Sequence, residues 1–331
     1  MSVRLEKKIN TVTGPISVNG LGVTLMHEHL VIGFSGWESD TLHPGPRRNE
    51  MIAICCDHIA QMQAHGIRSM VDPCPNDLGR DVTLAAEVAQ KTGFNIVCAT
   101  GMYKEEDGGM PYWNFRRRFE PIGAALAELF IHELTVGVGA TGIKAGVIKV
   151  GSGPNGISDY ERTVLEAAAK ASKETGAPIF THTDNGKHGD AQQAILTALG
   201  VPSHQILIGH SCGTTDHDYH LKILRGGSYL GFDRFGINGL MPDEQRIASL
   251  LALLRKEHAK RLFVSQDSVW CWRGEPFPEH IVKQIDYSVY ANPTHLHRNI
   301  FPQLLAQGAT QQQIDMMLFE NPRRFFSGCR E

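Results

Sequence analysis

Residues 178–211 read PIFTHTDNGKHGDAQQAILTALGVPSHQILIGHS, and this stretch decides the fold class. Two short, apolar, β-branched runs, at 178–183 and 205–211, flank a helical pattern that ends at Gly200, where a helix-terminating glycine belongs. A strand, a helix and a second strand in this order are typical of parallel strands that are joined by a crossover helix.

The same alternation of strand and helix patterns continues along the chain. The predicted strands are 22–29, 67–72, 95–103, 145–150, 178–183, 205–211, 229–235 and 261–267. Eight such units in 331 residues favour a (β/α)8 TIM barrel over an open sheet.

The chain is predicted to form one domain, residues 1–331, because no Pro-, Ser- or Gly-rich linker interrupts it. Residues 1–21, with Asn19-Gly20 as the turn, predict a short hairpin in front of the barrel. The barrel itself is expected at 22–293, and C-terminal helices are expected at 294–331.

Several helices carry recognisable start or stop signals. Residues 49–65 have an apolar face and end before Gly66, and residues 158–161 read as a capping box for a helix that runs to Gly176. Gly226 is placed where another helix should end. Further helices are predicted at 242–258, 294–307 and 310–320.

Charge and composition restrict the function classes. The chain carries 32 Lys+Arg against 35 Asp+Glu, a formal net charge of −3, so no basic excess is available to neutralise nucleic-acid phosphates. With 42% hydrophobic and 20% charged residues, the chain suits a globular protein with a sizeable core. We therefore expect no nucleic-acid partner.

The first residues and the cysteines bear on the compartment. Residues 1–8 are too charged to begin a signal peptide, and the stretch 9–26 is interrupted by polar residues, so we expect no membrane span. The seven Cys residues form no C-x-x-C pair. These features favour a reduced, cytoplasmic protein.

His27-Glu28-His29 is the first candidate for chemistry. In a strand, residues two apart face the same side, so both imidazoles would point one way and could chelate one metal ion. The pattern alone also arises by chance.

Other predicted strands end in a polar residue that continues an apolar alternation. Because inward-facing residues at the carboxyl ends of barrel strands build the active site, these side chains should converge at one mouth. Burying them without partners would cost several kcal/mol each, and metal ions would offset that cost. The alternative is a set of unrelated buried polar groups, each hydrogen-bonded locally. The converging residues are Lys149, His182, His210 and Asp267.

Lys149 fits such a site only as a modified residue, because a protonated ammonium group would repel a cation. A desolvated, neutral lysine can add carbon dioxide, and the resulting carbamate is an anionic bridge between two metal ions. Lys144 lies before the strand, where a solvated surface lysine is expected.

Five motifs now stand out: MHEHL at 26–30, GVIKVG at 146–151, FTHT at 180–183, IGHS at 208–211 and VSQD at 264–267. As an ordered set they resemble the phosphotriesterase family of the amidohydrolase superfamily, over nearly the whole chain. The resemblance implies two divalent metal ions, with zinc expected and cobalt, manganese or iron as alternatives. The implied ligands are His27, His29 and Asp267 for one ion, His182 and His210 for the other, and N6-carboxylated Lys149 for both.

Within that family, TGMY at 100–103 and GFDRFG at 231–236 are similar to the phosphotriesterase-like lactonases. There a tyrosine and an arginine line the pocket, and Tyr103 and Arg234 match them. By strand alternation, Arg234 is predicted to face inward together with Leu230 and Phe232. A rim aromatic and a structural ion pair are the alternative roles for these two residues.

The implied activity is a hydrolase that opens lactones by attack of a metal-bridging hydroxide, with Asp267 passing the proton to the leaving alkoxide. Promiscuous phosphotriesterase activity is compatible with the same machinery. The alternatives are a hydrolase of organophosphate triesters or other carboxylic esters, and a barrel that binds a ligand without catalysis. No G-x-G-x-x-G follows the first predicted strand, which excludes a Rossmann nucleotide enzyme.

The substrate is expected to be an N-acyl homoserine lactone, which would make the protein a quorum-quenching enzyme. Residues 236–242 and the aromatic-rich stretch 268–294 suit a long acyl chain, and Trp270 and Trp272 are the predicted substrate contacts. Alternatively, these aromatics pack the loop onto the barrel or form a dimer face. A homodimer is expected.

Overall fold

The computed structural model describes residues 7–107, 109 and 111–328 of the chain. Residues 1–6 of the predicted hairpin segment, residues 329–331 of the predicted C-terminal segment and therefore Cys329 lie outside the described residues.

The strands form a parallel barrel with a small hairpin in front of it. Eight strands lie in one sheet in the order β11-β10-β9-β8-β7-β6-β5-β3, and each neighbouring pair is parallel. Beyond the first and last of them, β4 pairs in parallel with β12, and Asp267 N donates to His27 O at 3.0 Å, so the barrel is nearly closed. The (β/α)8 prediction is confirmed. The strands are β1 (Lys8–Thr11), β2 (Gly14–Ser17), β3 (Val23–Leu25), β4 (His29–Ile32), β5 (Ile67–Asp72), β6 (Asn95–Gly101), β7 (Val147–Ser152), β8 (Ile179–Thr183), β9 (Ile206–Ile208), β10 (Tyr229–Phe232), β11 (Leu262–Val264) and β12 (Val269–Trp272).

Helices cover the outside of the barrel and continue past its last strand. The helix predicted from the capping box begins at Asp159, with Ser158 Oγ accepting from Glu161 N at 3.2 Å, and ends at Gly176 in the left-handed conformation. The π-helical segments Leu296–Ile300 and Met316–Glu320 extend two of the tail helices. The α-helices are α1 (Arg48–Ala64), α2 (Val82–Thr92), α3 (Pro111–Arg116), α4 (Gly123–Thr135), α5 (Asp159–Thr175), α6 (Gly189–Ala198), α7 (His217–Arg225), α8 (Asp243–Leu254), α9 (Glu279–Val282), α10 (Tyr287–Tyr290), α11 (Phe301–Ala306), α12 (Gln311–Asp315) and α13 (Asn321–Ser327).

The barrel interior is a buried apolar cluster to which the strands β5–β11 all contribute. In β7, β8 and β11 the residues that face the interior are the predicted ones, and Lys149 and His182 continue this alternation at the barrel mouth. The interior residues of β5–β11 are Val71, Val97, Ala99, Val147, Phe180, Leu207, Tyr229 and Phe263.

Two strands present the opposite set of residues from the one predicted. In β9 and β10 the interior residues are Leu207 and Tyr229, while the set predicted to face inward packs on the helix side of the sheet. The alternation therefore does not account for how His210 and Arg234 reach the mouth. The outward-packed residues are Ile206, Ile208, Leu230 and Phe232.

Two turn assignments from the sequence are wrong. The hairpin turns between Thr11 and Gly14, while Asn19-Gly20 lies in a 3₁₀ turn after it. Gly227, with φ of 87°, rather than Gly226, takes the left-handed position after α7. Glycine alone adopts this conformation without a steric penalty, and either of two adjacent glycines satisfies the sequence pattern.

Across the described residues, no helix is both long enough and apolar enough to cross a membrane. The six described cysteines, including the neighbouring Cys55 and Cys56, are free thiols.

Candidate functional site

His27 and His29 reach the mouth of the barrel from irregular backbone rather than from one strand. His27 lies in a bend after β3 and His29 begins β4, so the predicted single-strand geometry is wrong. The two rings nevertheless approach the same carboxylate, because Asp267 Oδ1 lies 3.3 Å from His27 Nε2 and 3.2 Å from His29 Nε2. Both imidazoles are buried.

Lys149 lies on β7 with its side chain inside the barrel mouth. Its Nζ is 3.3 Å from His27 Nε2, and the residue is only 2% exposed. Burial lowers the pKa of this amine to about 8 against the opposing effect of Asp267. Burial and the neighbouring Lys149 lower the pKa of His27 to about 3. The lowered pKa makes the neutral amine, the form that can add carbon dioxide, more accessible at neutral pH than it is for a solvated lysine.

His210 and Asp267 reach the site through left-handed backbone, with φ of 57° and 51°. This conformation is uncommon outside glycine and turns the side chain away from the strand alternation. Glu28 holds the turn before Asp267: its carboxylate accepts from Ser265 Oγ at 2.8 Å and from Gln266 N at 2.9 Å. The local backbone, rather than strand parity, therefore brings these two side chains into place.

His182, at the end of β8, packs its ring 4.6 Å from the ring of His210. Its Nε2 lies 2.8 Å from Asp184, whose other oxygen accepts from Lys104 Nζ at 2.7 Å. Because Asp184 already occupies Nε2, Nδ1 is the nitrogen of His182 left to act as a ligand.

Two aspartates that the sequence analysis did not assign to the site orient its histidines. Asp233 lies 2.9 Å from His27 Nδ1 and 3.1 Å from His210 Nδ1, and Asp72 lies 2.9 Å from His29 Nδ1. A carboxylate that accepts from Nδ1–H fixes the tautomer and leaves the lone pair of Nε2 to bind a cation, which is the arrangement of metal-binding histidines.

The donor set fits a divalent cation. Ligand atoms of His27, His210 and Asp267 lie within 4.8 Å of one another, and they combine imidazole nitrogen with carboxylate oxygen. Together with His29, Lys149 and His182 they form the bottom of a single cavity; we call these six side chains the floor.

Tyr103 and Arg234 flank the floor. Tyr103 Oη lies 3.3 Å from both ring nitrogens of His182, and Arg234 Nε donates to Asp267 Oδ2 at 2.9 Å. Burial raises the pKa of the Tyr103 phenol well above its usual range. For the Asp267 carboxyl, His27, His210 and Arg234 outweigh burial and hold its pKa well below its usual range.

Above the floor, the cavity has a volume of about 470 Å³ and a largely apolar wall. We call residues 236–240 and the lining side chains between 269 and 290 the wall. Trp272 belongs to it and stacks on Phe34, with ring centroids 6.1 Å apart. Trp270 is not among the described residues that line the cavity. It is buried against His58, with centroids 5.1 Å apart, and this position does not support its predicted substrate contact.

With this geometry established, comparison with known proteins identifies the family. The sequence model of the phosphotriesterase family matches residues 7–326. The chain belongs to the phosphotriesterase family. It is therefore a hydrolase, and members of this family generally use a binuclear metal centre, for which the floor provides candidate His and Asp ligands.

Relatives cover almost the entire length of the chain. The aryldialkylphosphatase of Saccharolobus solfataricus is 32% identical over 94% of this chain and 97% of its own length. The organophosphorus hydrolase of Deinococcus radiodurans superposes with a TM-score of 0.91 at 38% identity, covering 98% of this chain and 100% of its own. A mutant of a PTE-like lactonase from the same organism has the same TM-score and identity, over 96% of this chain and 99% of its own.

Proposed function

We propose that this member of the phosphotriesterase family hydrolyses lactones, and N-acyl homoserine lactones in particular, in a reaction that depends on two divalent metal ions. The observation that carries the proposal is the position of the floor. Six potential ligands, including a buried lysine, meet at the bottom of an apolar cavity.

His27, His29 and Asp267 would hold one ion, and His182 and His210 would hold the other. Lys149 would bridge them as N6-carboxylysine, because its buried Nζ, 3.3 Å from His27 Nε2, can join a cation site only as an anion. Bound divalent ions, zinc in our proposal, would activate a water molecule and polarise the substrate carbonyl.

The chain's own residues would supply the proton transfers and the orientation. Asp267, held at Oδ2 by Arg234, would take the proton of the attacking water and deliver it to the leaving alkoxide. Tyr103 would donate a hydrogen bond from Oη to the substrate oxygen that gains negative charge. Arg234, which also lines the cavity, would keep the Asp267 carboxylate oriented.

The wall favours a substrate with an apolar tail. Apolar side chains of the wall line the cavity next to the reacting centre, and Leu78 adds to them from outside the wall. The wall residues are Ile237, Val269, Trp272 and Ile281. Burying each methylene of an acyl chain there would contribute about 0.8 kcal/mol to binding. A lactone ring on the floor with its acyl chain along the wall would use both regions.

Hydrolysis of organophosphate triesters is the second candidate. Two relatives that cover the chain almost completely are named for phosphorus esters, the aryldialkylphosphatase and the organophosphorus hydrolase. The same floor can stabilise the charge that develops on a phosphoryl oxygen.

A substrate panel tests the proposal. The purified protein, reconstituted with zinc, is assayed on acyl homoserine lactones of increasing chain length, on simple γ- and δ-lactones and on a chromogenic phosphotriester. We expect the highest kcat/KM on an acyl homoserine lactone, with loss of activity in chelator and recovery on adding zinc. A higher kcat/KM on the phosphotriester would favour the second candidate, and activity unaffected by chelation would contradict the proposal.

A further inference from the structure

Residues 236–241, which we call the wall loop, are held from beneath by three buried polar side chains. The wall loop lines the cavity through Ile237, Asn238 and Leu240. The three side chains below it are almost inaccessible to solvent, with exposed fractions of 7% for Asp243, 0% for Arg246 and 5% for His295.

Asp243, the first residue of α8, is the centre of this cluster. Its carboxylate oxygens accept from Gly236 N at 3.0 and 3.1 Å. The same carboxylate accepts from Arg246 Nη1 at 2.9 Å and lies 2.8 Å from His295 Nε2. One carboxylate therefore joins the start of the wall loop to a helix and to the C-terminal segment.

Two more hydrogen bonds attach the middle of the wall loop. Arg246 Nη2 donates to Ile237 O at 3.0 Å, and Asp243 N donates to the side chain of Asn238 at 2.9 Å. Gly236 has a φ of +97°, and a Cβ built there would meet Val289 O at 3.3 Å and His295 Cδ2 at 3.5 Å. The loop is therefore packed closely against the opposite wall segment.

The cluster also reaches the segment that carries Asp267. His295 N donates to Asn292 O at 3.2 Å, and the same oxygen accepts from Gln266 Nε2 at 2.6 Å. Burying an arginine and a carboxylate costs several kcal/mol unless their hydrogen bonds are satisfied. Here the three side chains bond to one another and to the loop backbone at Gly236 N and Ile237 O, and none of them lies among the described residues that line the cavity.

We propose that Asp243, Arg246 and His295 are positioning residues that set substrate selectivity by fixing the wall loop in one conformation. With the loop fixed, the apolar side chains of the wall keep the spacing that accommodates a long acyl chain. The choice of acyl lactones as substrates rests on the proposed function, whereas the rigidity of the loop can be measured without any substrate.

Two readouts on matched variants test this assignment. Hydrogen–deuterium exchange is measured for the wall-loop amides of the full chain, and kcat and KM are measured on a long-chain and a short-chain acyl homoserine lactone. Asp243→Asn weakens the ion pair with Arg246, and His295→Leu removes the ring nitrogen that lies next to the Asp243 carboxylate. His295→Gln keeps an amide donor near the position of Nε2 and serves as the conservative variant. Glu133→Gln serves as the control. It weakens a different buried carboxylate–arginine pair, between Glu133 and Arg80, which belongs neither to the wall loop nor to the three side chains below it.

In Asp243→Asn and His295→Leu we expect wall-loop amides to exchange about tenfold faster than in the wild type, because local opening loses charge-assisted hydrogen bonds. KM for the long-chain lactone should rise about fivefold, while kcat and the KM for the short-chain lactone should change less than about twofold. This result is expected when an interaction made equally in the ground state and in the transition state is lost. His295→Gln should restore wild-type behaviour, and Glu133→Gln should lower Tm without changing loop exchange.

Unchanged exchange in both disruptive variants would overturn the assignment. So would a loosened loop with unaltered chain-length selectivity, or the same loosening in Glu133→Gln. If the wild type turned over no lactone, the proposed function would fail, and the exchange measurement would still decide whether the cluster fixes the loop.

Discussion

The floor and the wall of the cavity are built in different ways. The floor consists of side chains on the strands of the barrel or on the segments that directly follow them, and His27 and His210, each 1% exposed, are held by Asp233. The wall consists of connecting segments and short helices, in which Leu240 is 54% exposed. The sheet therefore fixes where the chemistry takes place, while the loops decide which substrate reaches it.

Replacing Lys149 should break the floor completely. Lys149→Ala removes the proposed bridge, and we expect both metal ions to be lost and kcat/KM to fall by about 10³-fold or more, since the lost electrostatic stabilisation is worth several kcal/mol. Lys144→Ala is the matched control, because Lys144 is exposed before β7. Metal analysis and lactone kinetics on the two variants check this, and equal effects would contradict the assignment of the bridge.

Replacing Asp233 should weaken the floor without dismantling it. Asp233→Asn keeps the volume but loses the charge that orients His27 and His210, so metal affinity should fall about 10–100-fold. Asp72→Asn should have a smaller effect, because Asp72 orients only His29. Competition with a fluorescent zinc chelator measures both affinities. A larger loss in the Asp72 variant would reverse the ranking.

Removing the Tyr103 hydroxyl should affect turnover alone. Tyr103→Phe is expected to lower kcat on lactones about tenfold, the size of one lost hydrogen bond of about 1.4 kcal/mol in the transition state. Metal content should stay at the wild-type value, as measured on the same preparation. An unchanged kcat would remove Tyr103 from the mechanism.

Variants of the two tryptophans of β12 should have different effects, because Trp272 lines the cavity and Trp270 packs inside the protein. Trp272→Ala is expected to raise KM for a long-chain lactone about fivefold, through lost apolar contact, with little change in kcat. Trp270→Phe should lower Tm and leave chain-length preference unaltered, because Trp270 packs against His58 outside the cavity. Kinetics on two chain lengths and thermal unfolding distinguish these outcomes. A shift in selectivity for Trp270→Phe would place that residue in the wall.

Much of the fold was predictable because its signals are local. The apolar runs located all eight barrel strands, and the capping box at Ser158 located the start of α5. Strand ends were less predictable, since regular hydrogen bonding in β9 stops at Ile208, two residues before His210. A strand pattern does not reveal where the backbone turns left-handed, and this is how His210 and Asp267 reach the floor.

The residues that support the floor were harder to predict than the floor itself. Asp233 was missed because the sequence pattern predicted the wrong face of β10 to point inward. Tyr229 faces the interior, and Asp233, an even number of residues later, points to the same side. The stretch 268–294 was read as a loop, so β12 and the opposite surroundings of Trp270 and Trp272 were not foreseen. Loop conformation depends on long-range contacts, such as those of Asp243 with His295, that no local pattern encodes.

Elemental analysis of the purified wild-type protein tests the central claim most directly. The proposal predicts two divalent transition-metal ions per chain, with Asp233→Asn retaining fewer of them after dialysis. Protein that hydrolyses lactones while carrying no such metal would contradict it.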